Sequence, residues 1–283
     1  MSLDPTAAAS APMPSAMPSA SSVGAGEAQA QGWLSRLGLC SVTLRRLPAV
    51  EVIAQARAAG LHRIEWGADV HAPPTDPGLA ELGARTRAAG LTVSSYGSYW
   101  RAGVSSREHL VEIVEGAVTL EAPRIRVWAS DVGTAQADAQ VWERAVRDLR
   151  EGCIVAGERG VELSLEFHPD TLTDSVDSTL ELLERVGDDR LRTYWQPRLD
   201  EPVEPAVAGL RRLLPVLSGV HVFSWWPGAH RLRLAERLDL WSAVIDWLLA
   251  DSAPTDLLLE FVPDDDPELI AAEAAVLRGL FAR

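Results

Sequence analysis

Four polar residues stand where short apolar runs end, and their types suit a divalent cation. The run Leu-Ser-Leu-Glu-Phe-His-Pro-Asp carries Glu166 and His168, which lie two apart and so share one face of an extended chain. Tyr-Trp-Gln-Pro carries Gln196, Val-His-Val-Phe carries His221, and Leu-Leu-Leu-Glu-Phe-Val carries Glu260. A carboxylate closing an apolar run is costly unless it is paired, solvated or bound to a metal. Two carboxylates, an amide oxygen and an imidazole make a workable set for a divalent ion. The other reading is structural: Glu166 and Glu260 pair with arginines such as Arg126, and His221 is a hydrogen-bonded core histidine. The spacings of 30, 25 and 39 residues decide nothing alone; they acquire meaning only in a fold that aims all four at one axis.

The elements expected to do this are eight apolar runs, each followed by an amphipathic stretch. The candidate strands are Leu37–Thr43, Leu61–Glu65, Leu91–Ser95, Ile125–Trp128, Val161–Phe167, Arg192–Trp195, Gly219–Phe223 and Asp256–Val262. Candidate helices include Pro48–Ala59, Asp76–Ala89, Arg107–Leu120, Ala135–Glu158 and Leu180–Val186. Gly60, Gly90 and Gly160 stand just before strands, where a glycine can end the preceding helix. Strands alternating with helices imply βαβ units and a parallel sheet. Eight such units in about 250 residues match an α/β fold of the closed (β/α)8 TIM barrel type, with its chemistry at the C-terminal ends of the strands. An open doubly wound sheet is the alternative, and no G-x-G-x-x-G follows the first strand to support a dinucleotide-binding version of it.

Composition narrows the function classes. Of 283 residues, 47% are hydrophobic and 23% charged, which excludes a collagen, a coiled coil and a fully disordered chain. The formal charge of −14 argues against general binding to nucleic acid, which rests on phosphate neutralisation by cationic side chains, and against anionic membranes. All 26 basic residues are Arg, so Schiff-base chemistry, pyridoxal-phosphate attachment and a Lys-dependent P-loop are excluded. Cys40 and Cys153 read as reduced thiols of a cytoplasmic protein. No apolar run reaches the ~18 residues of a membrane span. Residues 1–32, mostly Ala, Ser, Pro, Gly and Met, read as a disordered low-complexity extension without the charged start and apolar core of a secretory signal. Met13 and Met17 leave a later translation start open. Residues 33–283 are expected to form a single barrel domain.

Four segments carry a family resemblance: Arg-Ile-Glu-Trp-Gly-Ala-Asp-Val-His (63–71), Ser-Tyr-Gly-Ser-Tyr-Trp-Arg (95–101), Arg-Ile-Arg-Val-Trp-Ala (124–129) and Leu-Glu-Phe-His-Pro-Asp-Thr-Leu-Thr-Asp (165–174). From about Leu37 to the C-terminus the chain resembles the sugar phosphate isomerase/epimerase family of xylose isomerase-like barrels. The resemblance implies one divalent metal ion, manganese first and magnesium, cobalt or zinc as alternatives. Its ligands by position are Glu166, Gln196, His221 and Glu260. It also implies a homo-oligomer. The chain departs from the family where the strand-six ligand is usually Asp with a His three residues on; here Gln196 and Leu199 stand. Leu172 replaces an acidic residue and Pro227 an Arg of the sugar-epimerase pattern. The metal cage is thus largely kept and the substrate contacts are not. With Gln in place of Asp, two carboxylates balance the cation, which implies weaker metal binding and a stronger Lewis acid.

The implied chemistry is proton transfer. A polarised carbonyl acidifies the neighbouring C–H, and Glu166 and Glu260, one on each face of that carbon, are the expected catalytic pair. Return of the proton through a metal-stabilised enediolate gives a sugar, keto-sugar or inosose isomerase or epimerase; loss of a β-substituent gives a lyase or dehydratase acting on an inosose or 3-keto-glycoside. A carbohydrate-binding barrel without catalysis and a multi-zinc phosphodiesterase resembling endonuclease IV are further alternatives. Six of ten tryptophans (Trp66, Trp100, Trp128, Trp195, Trp225, Trp226) fall at or just past strand ends, either stacking on sugar C–H faces or capping the core. The expected contacts to a small sugar or glycoside are Glu65, Tyr96, Trp128, His168, Trp195 and Trp225. No phosphate site is evident.

Overall fold

Runs of Val, Ile and Leu buried on both faces become parallel strands, and the amphipathic stretches between them become the helices that cover the strands. The computed structural model describes residues 31–251 and 255–282; most of the expected N-terminal extension, residues 1–30, lies outside the described residues. Among the described residues the barrel strands are β1 (Leu37–Cys40), β2 (Arg63–Gly67), β3 (Thr92–Ala102), β4 (Arg124–Ala129), β5 (Glu162–Leu165), β6 (Arg192–Trp195), β7 (Leu217–Val222) and β8 (Asp256–Leu259). They close in sequence order, every pair parallel, with β8 returning to β1. The (β/α)8 barrel expected from the sequence is therefore the fold.

The helices are α1 (Ala49–Ala58), α2 (Leu79–Ala88), α3 (Arg107–Leu120), α4 (Ala139–Gly157), α5 (Val176–Val186), α6 (Val203–Leu213), α7 (Leu238–Ala250) and α8 (Ile270–Gly279). Their starts are set by side chains that take up free backbone N–H groups: Ser106 accepts from His109 before α3, Asp138 from Val141 before α4, and Ser175 from Ser178 before α5. Gly60 and Gly90, at φ +67° and +74°, end the turns after α1 and α2 in the left-handed region, which suits glycine. No described helix is long and apolar enough to cross a membrane.

Alternation along each strand decides what can reach the axis. Leu39, Ile64, Tyr96, Trp195 and Leu259 belong to the large core between barrel and helices. Cys40, Tyr194 and Leu258 form a separate cluster inside the barrel. At the N-terminal end Asp256, 1% exposed, meets Arg36, Arg63 and Arg124 at 3.1, 3.2 and 3.6 Å and accepts from Ser94 Oγ at 2.6 Å. That network plugs the bottom of the barrel and leaves the opposite end for chemistry.

Candidate active site

At the C-terminal end, the inward positions carry charge. Arg126 comes from β4, Glu166 follows β5, Gln196 follows β6, His221 lies on β7 and Glu260 follows β8; Glu65 comes from β2. Ladder hydrogen bonds continue past the strands, from Glu166 N to the Val127 carbonyl at 2.9 Å and from Glu260 N to the Val222 carbonyl at 3.0 Å, so both carboxylates leave rigid backbone. Gln196 Oε1 and His221 Nδ1 are 2.9 Å apart, and His221 Nδ1 and Glu260 Oε2 3.5 Å. All six side chains are buried.

Arg126 ties the group together. Its Nη1 donates to Glu166 Oε2 at 2.5 Å, and its Nε lies 3.5 Å from Glu65 Oε1. Ser95 Oγ donates to Glu65 Oε2 at 2.7 Å. Gly97 makes this approach feasible: a Cβ there would stand 2.9 Å from Glu65 Oε1 and 3.0 Å from Arg126 Nη2. The ion pair between Arg126 and Glu166 matches the structural reading of the sequence, and it coexists with the convergence of Gln196, His221 and Glu260.

The electrostatics are unbalanced. Burial would raise the Glu65 carboxyl, but Arg126 and His221 outweigh it and hold it at about 2. Burial would lower His221, but Glu260 and Glu65 raise it to about 8. Glu260 is raised to about 7 by burial, which His221 and Arg126 only partly offset against Glu166 and Glu65. Three carboxylates thus share one guanidinium, and two of the groups are driven to hold protons in its stead. Glu260 Oε2 and His221 Nε2 have no hydrogen-bond partner among the described residues, an arrangement that costs free energy in a buried site.

A divalent cation fits these residues. Its charge would cancel the remaining two negative charges of Glu65, Glu166 and Glu260 beside Arg126. The spacing of the Gln196, His221 and Glu260 donors is near the ~3 Å between adjacent ligands of an octahedral ion bound at ~2.1 Å. A second grouping, Cys40, Glu65 and His221, lies within 4.8 Å on the inner side of the histidine. None of these three lines the open cavity, so a cation there would lie out of a substrate's reach.

Above this floor opens a cavity of about 660 Å³. Glu166, Gln196 and Glu260 line it, as do Trp128, His168 and Trp225 from the expected contacts. Trp128 and His168 meet with ring centroids 4.3 Å apart and planes tilted by 33°, and the Arg101 guanidinium lies 4.0 Å over the Trp128 ring. His221 and Glu65 sit just beneath the lining. Three expected contacts are corrected. Glu65 lies beneath the lining, bonded to Ser95 and beside Arg126. Tyr96 points to the helix layer, where its Oη donates to the Ala72 carbonyl at 2.5 Å. Trp195 is 1% exposed and packs edge-on against Trp241 of α7 at 6.3 Å. Trp66 and Trp100 likewise bond outward, to Thr86 and to the Ser106 carbonyl. Tyr99, which the sequence groups with the aromatic binding surface, also lines the cavity. Residues that sequence reasoning passed over include Phe223 and Phe261 on the cavity wall, both beside strand ends already read. The stretch after β7 forms a hairpin of Ser224–Trp225 with Arg231–Leu232.

Known proteins share this fold. The 3-dehydroshikimate dehydratase of Bacillus anthracis is 36% identical over 69 residues, a match spanning 24% of this chain and 25% of that protein. The solved structure of the probable 3-DHS dehydratase AsbF from Bacillus anthracis superposes with a TM-score of 0.73 at 20% identity, covering 86% of this chain and 98% of that one. The structure of an L-ribulose 3-epimerase gives 0.70 at 18% identity, covering 87% and 94%. A protein of the same barrel type from Mycobacterium smegmatis, solved in complex with magnesium, gives 0.68 at 16%, covering 89% and 97%. At these identities the structural likeness is one of fold. The family described as xylose isomerase-like TIM barrel matches residues 53–197, about half of the sequence and the stretch from α1 to Gln196, and the chain belongs to that family.

Proposed function

We propose that the chain is an enzyme that moves a proton at the carbon beside a carbonyl of a small sugar or keto-sugar, as an isomerase or epimerase dependent on one divalent cation, manganese first. The observation that carries this reading is the grouping of Gln196, His221 and Glu260 donors beside Glu166 at the floor of an open cavity. Those four residues would hold the cation, which when bound supplies Lewis-acid polarisation of a substrate carbonyl. Glu166 and Glu260 reach the floor from β5 and β8, different sides of the barrel, so a carbon held between them has a carboxylate on each face. One takes the proton and the other returns it. Return to the opposite face inverts the centre; return to the neighbouring carbon interconverts aldose and ketose. Arg126 fixes the Glu166 carboxylate in place through its Nη1 hydrogen bond. Trp128 and His168 on the cavity wall offer aromatic surface to sugar C–H groups.

The partial match to a dehydratase supports a second reading, in which the same proton removal is followed by loss of water. Incubation in deuterium oxide with a panel of ketohexoses, inososes and 3-dehydroshikimate tests both. The first reading expects one deuterium gained by a recovered ketose or its epimer, abolished by chelator. The second expects water loss from 3-dehydroshikimate, seen as the ultraviolet absorption of an aromatic product. Neither exchange nor water loss in any of the panel by metal-loaded protein would sink both.

A further inference from the structure

The cavity has two unlike walls. On the side of β3 to β5 stand Arg126, Glu166 and the Trp128–His168 pair. Across from it, after β7 and β8, Phe223, Trp225 and Phe261 touch one another with ring centroids 5.3 to 6.0 Å apart. These three rings line the cavity, and their contacts within the group are ring on ring. They are also held in place. Phe261 has φ +53°, a conformation a bulky side chain adopts at a cost. Arg231 braces the group from 4.9 Å at Phe261 and 5.4 Å at Trp225, and is itself bound to Asp265.

A cavity of about 660 Å³ falls mid-range among pockets of ~300–1,000 Å³ that enclose drug-sized ligands. A lone sugar ring on the floor between Glu166 and Glu260 leaves the apolar wall uncovered. Preformed apolar surface facing a cavity rewards an apolar ligand group that removes it from water.

We infer that Phe223, Trp225 and Phe261 form a subsite for a flat apolar substituent, so that the preferred substrate is a keto-sugar glycoside, its carbonyl on the ring, with an aromatic aglycone. The inference rests on the proposed reading of the floor as a sugar site. The aglycone lies against the three rings while the sugar reaches the carboxylates.

Calorimetric titration of manganese-loaded full-length protein with phenyl and methyl β-D-glucopyranoside tests this. The phenyl glycoside is expected to bind at least ~10-fold more tightly, about 1.4 kcal/mol at 25 °C. That preference should fall below ~3-fold, about 0.7 kcal/mol, in Trp225→Ala and in Phe261→Gly. The second variant suits the backbone, since glycine accepts a positive φ without steric cost, and it keeps the test valid if the first folds poorly. Equal affinities, a preference that survives both substitutions, or no binding of either glycoside would overturn the subsite. Deuterium wash-in to a free ketose, measured on the same samples, reports on the floor alone. Its absence counts against the proton-transfer reading, while the phenyl-to-methyl ratio still decides the subsite.

Discussion

Glu260 has too little positive charge around it. Its carboxyl is raised from an ordinary 4.5 to about 7, chiefly by burial, and His221 is raised from 6.5 to about 8, where Glu260 and Glu65 outweigh the burial that would lower it. Both groups bind a proton more tightly folded than unfolded, so metal-free protein loses stability as pH rises from about 4.5 through 8. A cation takes the place of those protons. The rise in melting temperature on adding manganese should therefore be larger at pH 8 than at pH 5, by scanning fluorimetry at matched ionic strength. A rise independent of pH would speak against Glu260 and His221 as ligands. Arg126 does the balancing that the protein itself provides. Its identity was legible as a candidate partner of these carboxylates, Glu65 included, whereas the close approach of Arg126 and Glu65 depends on Gly97 standing beside them without a side chain.

At the scale of elements, strand parity explains what sequence could and could not tell. Alternating apolar runs and amphipathic stretches made the eight strands legible, and the barrel then named the strand ends as the place to look. Parity was not legible, because a strand buried on both faces shows no alternation in hydrophobicity. Tyr96 pairs in register with Trp66, and both face the helices, while Ser95 pairs with Glu65 and faces the axis. A register shift between Ile64 and Glu65 obscured this further. Trp195 precedes inward Gln196 and so points outward. Phe261 escaped notice for another reason: its place on the wall follows from a left-handed backbone that a single sequence does not announce. The parity argument makes a sharp prediction. Tyr96→Phe should lose about 1 kcal/mol of stability with its hydrogen bond, measured by urea denaturation, and leave kcat/KM within about twofold of wild type. A tenfold loss of kcat/KM at unchanged stability would place Tyr96 in the site after all.

The whole molecule divides its charged interior between the two ends of one barrel. The N-terminal end around Asp256 is closed, its one buried carboxylate faced by three arginines, and the opposite end is open and short of positive charge. This division follows the usual separation in such barrels, stability at the N-terminal face and chemistry at the C-terminal face. Asp256→Ala strands Arg124 and Arg63 and should cost about 3 kcal/mol, while the stoichiometry of bound metal in the folded protein stays as in wild type. Loss of metal there would show that the ends are coupled. The central claim, a divalent cation held by Glu166, Gln196, His221 and Glu260, is tested most directly by elemental analysis. Protein purified without chelator and loaded with manganese would be analysed by inductively coupled plasma mass spectrometry, with His221→Ala and Glu260→Gln alongside. The account predicts about one manganese per chain in wild type and much less than one in each folded variant, since removing a ligand weakens the site. Wild-type protein without stoichiometric metal after loading, or variants that keep it, would contradict the account.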